Sequence, residues 1–205
     1  MATALVATFL SGLSAQRMTE PPDRLIPHLV RAGAHDYSPG HGFSLTRGVV
    51  GFELTFFLPE SAWFDPSDEG PLGRDGKDWN KVGGISYLSL WRPGTYPKNR
   101  HAVLVGMRPG LTPGDFEVCA YTNAADGSWE AGPSVAITAG DTVHVEARIE
   151  QDQVTYLLTT ASGSQTTVHR FEPLTYAVPV GPWFGGNRES PISHQVHTRL
   201  VLLRE

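Results

Sequence analysis

Apolar and polar residues alternate through most of this chain, and the alternation has the period of a β-strand rather than a helix. Residues 50–59 put Val50, Phe52, Leu54, Phe56 and Leu58 on one face and Glu53, Thr55 and Phe57 on the other, with Pro59 as the stop. The cleanest case is 141–150, where Val143, Val145, Ala147 and Ile149 point inward and Thr142, His144, Glu146, Arg148 and Glu150 point outward. Further strands are expected at 85–91, 101–108, 115–123, 134–138, 153–160 and 165–171. In 115–123, Phe116, Val118 and Ala120 share one face and Glu117, Cys119 and Tyr121 the other. The last segment, 193–203, is long enough to cross a whole sheet, with Val196, Leu200 and Leu202 opposite Gln195, His197, Arg199, Val201 and Leu203. Turn signals separate these runs, among them Asp126-Gly127, Gln151-Asp152 and Ser162-Gly163. Short strands at this spacing indicate an all-β sandwich or barrel, and a two-sheet antiparallel sandwich is the architecture expected here.

The first third is less regular. Residues 1–16 have a short apolar centre and a Leu-Ser-Ala ending without a positive start. They read either as an edge strand over 3–10 or as a weak leader. Residues 18–39 form a long Pro-rich connection, and the spacing of Leu25, Ile26, Leu29 and Val30 suggests one helical turn around Pro27. Residues 60–77 form a long polar loop, a candidate lid over a sheet face.

Two stretches carry the most pattern. Residues 78–91, DWNKVGGISYLSLW, and 181–187, GPWFGGN, each set a tryptophan beside glycines at the mouth of an apolar strand, and are expected to lie side by side.

Composition narrows the function. The 205 residues suit one β-sandwich domain over 1–205, best supported over 43–203. Twenty-two glycines and sixteen prolines fit a chain rich in turns. The net charge of −5, with no two basic residues adjacent, argues against nucleic acid as a partner. No segment reaches the about 20 apolar residues of a membrane-spanning helix. Cys119 is the only cysteine, so no disulfide forms within the chain, and its apolar surroundings suggest a small buried side chain. Secretion and cytoplasmic residence both stay open, and no oligomeric state is implied.

The order of DWNK, AVLVGMR, FEVCAYTN and WFGGN resembles a poorly characterised bacterial family with a concanavalin A-like jelly roll. Asp78-Trp79-Asn80-Lys81 and Phe184-Gly185-Gly186-Asn187 are its most specific elements. After FGGN such sequences often carry a small residue, then Pro and a polar or acidic residue, whereas Arg188-Glu189-Ser190-Pro191-Ile192 has Ile192 in that last place. The resemblance implies the fold. The wider superfamily includes lectins, glucanases and alginate lyases, and a shared jelly roll does not select among them.

Sugar recognition needs flat aromatic rings and planar polar groups. Trp79, Asn80, Tyr121, Glu146, Trp183 and Asn187 are suitable in kind, with carbohydrate or another small ligand as the partner. For the tryptophans, packing is the commoner use of such large rings. An enzyme on the same scaffold would draw on Tyr121, His144 or His197 as base, with Arg108 or Arg148 against a carboxylate. Gln195-Val196-His197 looks like the Gln-x-His tripeptide of alginate lyases, but stands in the wrong order and lacks their Arg-rich companion. No glucanase-like run of carboxylates occurs, and Glu146 and Glu150 stand about 13 Å apart along their strand. A third reading is a structural or partner-binding sandwich. No cofactor is implied, although Asp65, Asp68 and Glu69 could supply oxygen ligands to calcium. His28, His35 and His41 match no compact zinc spacing.

Overall fold

A computed structural model describes residues 25–95 and 99–205. The expected edge strand or leader at 1–16 lies outside them. The strands are β1 (Ile26–Val30), β2 (Tyr37–Ser38), β3 (Val49–Phe57), β4 (Asn80–Leu88), β5 (Ala102–Pro109), β6 (Asp115–Asn123), β7 (Trp129–Ala131), β8 (Val135–Thr138), β9 (Thr142–Glu150), β10 (Gln153–Thr160), β11 (Gly163–Arg170), β12 (Tyr176–Val180) and β13 (His194–Arg204).

Two antiparallel sheets stack face to face. One has the order β11-β10-β9-β3-β13-β1-β2, and the other β12-β4-β5-β6-β7, with β8 also on β6. The chain crosses from β3 to the meander β4-β5-β6, returns to the meander β9-β10-β11, then places β12 in the second sheet and β13 in the first. This is a jelly-roll sandwich. The inward residues read from the alternation meet between the sheets: Phe52, Leu54, Phe56 and Leu58 from the first, and Phe116, Val118 and Ala120 from the second, are all buried.

Residues 26–30 form a strand, not the helical turn expected from their spacing. β1 pairs with β13 through Ile26↔Thr198 to Val30↔His194. Its burial alternates, with His28 and Val30 inside. Outside Leu29 and Val30, β1 is an edge, and edges are where a sheet tolerates a residue such as Pro27. The short edge strands β7 and β12 carry little alternation of their own, and β12 contains Pro179. Pairing to a longer neighbour makes them strands.

Residues 60–77 are pinned down rather than hung as a lid. Two 3-10 turns, Glu60–Ala62 and Gly73–Lys77, compact the segment. Ala62 and Phe64 are buried, and Trp63 Nε1 donates to Gly110 O at 2.9 Å. Asp65 caps Ser67, Asp68 pairs with Lys77 at 3.0 Å, and among the described residues no three His, Cys, Asp or Glu side chains gather to hold a metal.

Candidate functional site

The two glycine-tryptophan stretches do lie side by side. Lys81 and Trp183 exchange two backbone hydrogen bonds of 2.8 Å. The Gly185 N–H donates to Asn80 Oδ1 at 2.8 Å. A Cβ on Gly185 would stand 2.2 Å from Trp79 O, and one on Gly186 2.3 Å from Asp78 Oδ2. Gly185 is therefore the condition for close backbone approach, while Gly186, at φ +80°, turns the chain beside the Asp78 side chain. Asn80, a candidate ligand contact, is spent on this junction: it is 2% exposed and its oxygen holds Gly185.

From this junction a row of rings and cations runs over the outer face of the second sheet. Arg108 lies 4.4 Å above the Trp79 ring and takes Glu117 through Nε (3.0 Å) and Nη2 (2.7 Å). Lys81 Nζ donates to Trp79 O at 2.6 Å and sits 4.1 Å over the Tyr121 ring. Tyr121 in turn stacks on Trp129, at 5.7 Å and 8° between planes. The floor is small or apolar: Gly84, Ala102, Leu104, Gly106 and Cys119. Along β5 the row extends from the level of Arg108 to that of Ala102, roughly 20 Å.

Local chemistry follows from this packing. Burial lowers the Lys81 ammonium to about 8, with Asp78 opposing the shift. Burial pushes the Cys119 thiol up to about 12, so it is an inert core group, as the apolar sequence around it suggests. Burial likewise pushes Tyr121 up to about 12. Lys81 and Trp129 lie against its ring, which leaves Tyr121 buried beneath the surface.

Trp129 is the ring that alternation overlooked. It begins a three-residue strand and is 62% exposed. Its cue in the sequence is an aromatic two residues after the Asp126-Gly127 turn, where a hairpin returns onto the face that carries Tyr121.

The remaining candidates divide. Trp183 is half-buried and stacks on His35 at 5.5 Å and 6°, and His35 Nδ1 donates to Phe184 O at 2.9 Å. A 410 Å³ polar cavity is lined by His35, Leu72, Asn187, Arg188 and Glu189, so Asn187 lines it directly and Trp183 stands behind it through His35. His144, Glu146, Arg148 and His197 lie on the outer face of the other sheet, away from Tyr121 and Arg108. There His144 bonds to Thr55 at 3.1 Å, Arg148 pairs with Glu146, and His197 packs edge-on against Phe57. The bases and arginines named for lyase chemistry are thus shared between two opposed surfaces. His28 is bonded to Thr198 at 2.9 Å with His41 beside it, while His35 serves Trp183.

No family model matches the sequence, and no curated protein matches it. Among solved structures, a functionally unknown protein from Saccharomyces cerevisiae is similar at a TM-score of 0.51 and 8% identity, over 90% of this chain and 94% of that one. Galectin-Ib from Xenopus laevis (TM-score 0.33, 11% identity, 78% and 100% covered) and peanut lectin with a nine-residue peptide (0.37, 12%, 88% and 99%) are more distant. The yeast likeness is one of fold, and the fold is the jelly-roll sandwich described above.

Proposed function

We propose that this chain is a carbohydrate-binding domain without catalytic activity, with its site on the outer face of the second sheet. The observation that carries the reading is Trp129: an exposed ring held parallel to Tyr121, which Lys81 holds from a third position. A pre-ordered ring loses little freedom on binding, and its apolar face suits the C–H face of a sugar. Asn123, on the same strand as Tyr121, is one hydrogen-bonding group near it, and its amide donates to Asn99 O.

Among the described residues each face carries a named base and a named arginine, but the arginines are already paired, Arg108 with Glu117 and Arg148 with Glu146, and this supports binding over lyase chemistry. Glu117 is committed to Arg108, and Tyr121 is shielded. The test is a glycan array on the intact protein, followed by calorimetry with any hit. Trp129→Ala is expected to weaken binding by about thirtyfold or more, the effect of removing a central aromatic anchor, with an unchanged denaturation midpoint. Binding unaffected by the substitution, or no glycan bound at all, overturns the reading. A 235 nm absorbance rise with acidic polysaccharides would return it to the lyase.

A further inference from the structure

Next to Trp129 a buried hydrogen-bond chain ends on a bare nitrogen. The Tyr156 hydroxyl donates its single proton to Tyr121 O at 3.0 Å, an oxygen that can only accept. Its contact with Thr122 Oγ1, 2.8 Å away, must therefore be one in which Thr122 donates. The Thr122 proton is then used, so the 2.9 Å contact between Thr122 Oγ1 and His169 Nδ1 requires Nδ1–H as donor. This polarity fixes neutral His169 as the Nδ1–H tautomer. The lone pair is left on Nε2, which is buried and has no hydrogen-bond partner. Glu130 Oε1 faces it at 3.7 Å. Two acceptors thus confront each other, with His169 only 2% exposed. One proton placed between them would satisfy both.

Glu130 directly follows Trp129 in β7, an edge strand of three residues joined to β6 by the register Tyr121↔Ala131 to Asn123↔Trp129. β11, which carries His169, belongs to the other sheet. We propose that His169 and Glu130 form a proton-operated latch: a proton taken up on Nε2 draws the Glu130 carboxylate into a hydrogen bond, ties β7 to β11, and adds a second anchor to the strand that carries the stacked Trp129 ring. This regulates the site proposed above, and depends on that reading only in giving Trp129 a ligand.

The groups around the imidazole set the direction. Glu130 faces it from β7, Tyr156 from β10, Thr122 from β6, and Thr167, whose Oγ1 also has no partner, lies two residues away on β11. Tyr156 is held neutral by burial and Thr122 and Thr167 carry no charge, so Glu130 is the charged group that answers the proton. Burial lowers the His169 pKa below the ordinary 6.5 and Glu130 opposes that shift. The latch is open at neutral pH and closes on acidification.

The experiment is nitrogen-15 NMR of the full chain between pH 7.5 and 5, in wild type and Glu130→Gln. Glu130 is an exposed residue whose replacement leaves the core intact. The Trp129 indole N–H is assigned by its loss in Trp129→Phe. Expected are an Nδ1–H tautomer at pH 7.5, a midpoint lower in E130Q than in wild type, and an indole shift that follows the His169 titration and is lost in E130Q. The stability difference between wild type and E130Q is expected to widen from pH 7.5 to pH 5. An Nε2–H tautomer at pH 7.5, an equal midpoint in both proteins, or an indole that ignores the titration overturns the latch. None of these readouts uses a glycan, so failure of the carbohydrate reading leaves the latch to be judged alone.

Discussion

Replacing Gly185 by alanine tests the junction on which the candidate site stands. The added Cβ would lie 2.2 Å from Trp79 O, 3.1 Å from Trp79 C and 3.4 Å from Asn80 Cα. A carbon approaches a carbonyl oxygen to no less than about 3.3 Å, so the shortfall is about 1 Å. Every obstructing atom is backbone, and no side-chain rotation relieves it. The 181–187 segment must move away from β4, which costs about 1–3 kcal/mol as overpacking. That movement also stretches the Gly185–Asn80 bond of 2.8 Å between buried groups, for about 1–3 kcal/mol more. The expected loss is about 2–6 kcal/mol, a large fraction of the about 5–15 kcal/mol that holds a typical protein folded. Chemical denaturation with linear extrapolation measures it. Gly42→Ala is the control, since nothing lies within 4 Å of its Cβ position, and it should stay within about 0.5 kcal/mol of wild type. Asn80→Ala should cost about 1–3 kcal/mol and combine with G185A by less than the sum, because both act on one bond. A G185A loss below about 1 kcal/mol, with an unchanged denaturant slope, would refute the close backbone approach.

Two further outcomes follow from burial. Cys119 is fully buried with its thiol pushed up to about 12, so an aromatic disulfide reagent at pH 8 should label it only after denaturant is added; prompt labelling of the folded protein would contradict this. His194 is buried against Tyr37 at 2.7 Å, and desolvation lowers its pKa to about 4. The unfolded chain therefore takes up this proton first as pH falls through 6.5, and stability is lost between about 6.5 and 4, by roughly 3 kcal/mol from this residue. His194→Gln should flatten that acid limb of the stability profile, and an unchanged slope would place the loss elsewhere.

Strand faces were legible in the sequence because alternation is a local property. Phe52, Leu54 and Phe56, or Val143, Val145 and Ala147, declare their common side within a single strand, and all six are buried. The glycine pairs beside Trp79 and Trp183 also announced a close crossing, since few other needs put two glycines together at a strand mouth. Alternation separates inside from outside, yet says nothing about which sheet a strand joins. Tyr121 and His144 both read as outward, and β6 and β9 carry them onto opposite surfaces of the sandwich. Neighbours are chosen by long-range pairing, as when β3 takes β9 on one side and β13 on the other.

That pairing turned 26–30 into a strand despite Pro27, and gave β7 and β12 an identity their few residues lack. It also decided which aromatic is available. Trp79 lies under Arg108, Tyr121 is held between Lys81 and Trp129, and Trp129 keeps an open face. Composition and period determined that this chain would be an all-β sandwich or barrel and which strand faces would be buried, and long-range pairing made it two sheets. The candidate site was decided in three dimensions, because a binding surface is built from residues on different strands, and their adjacency exists only once the sheets have formed.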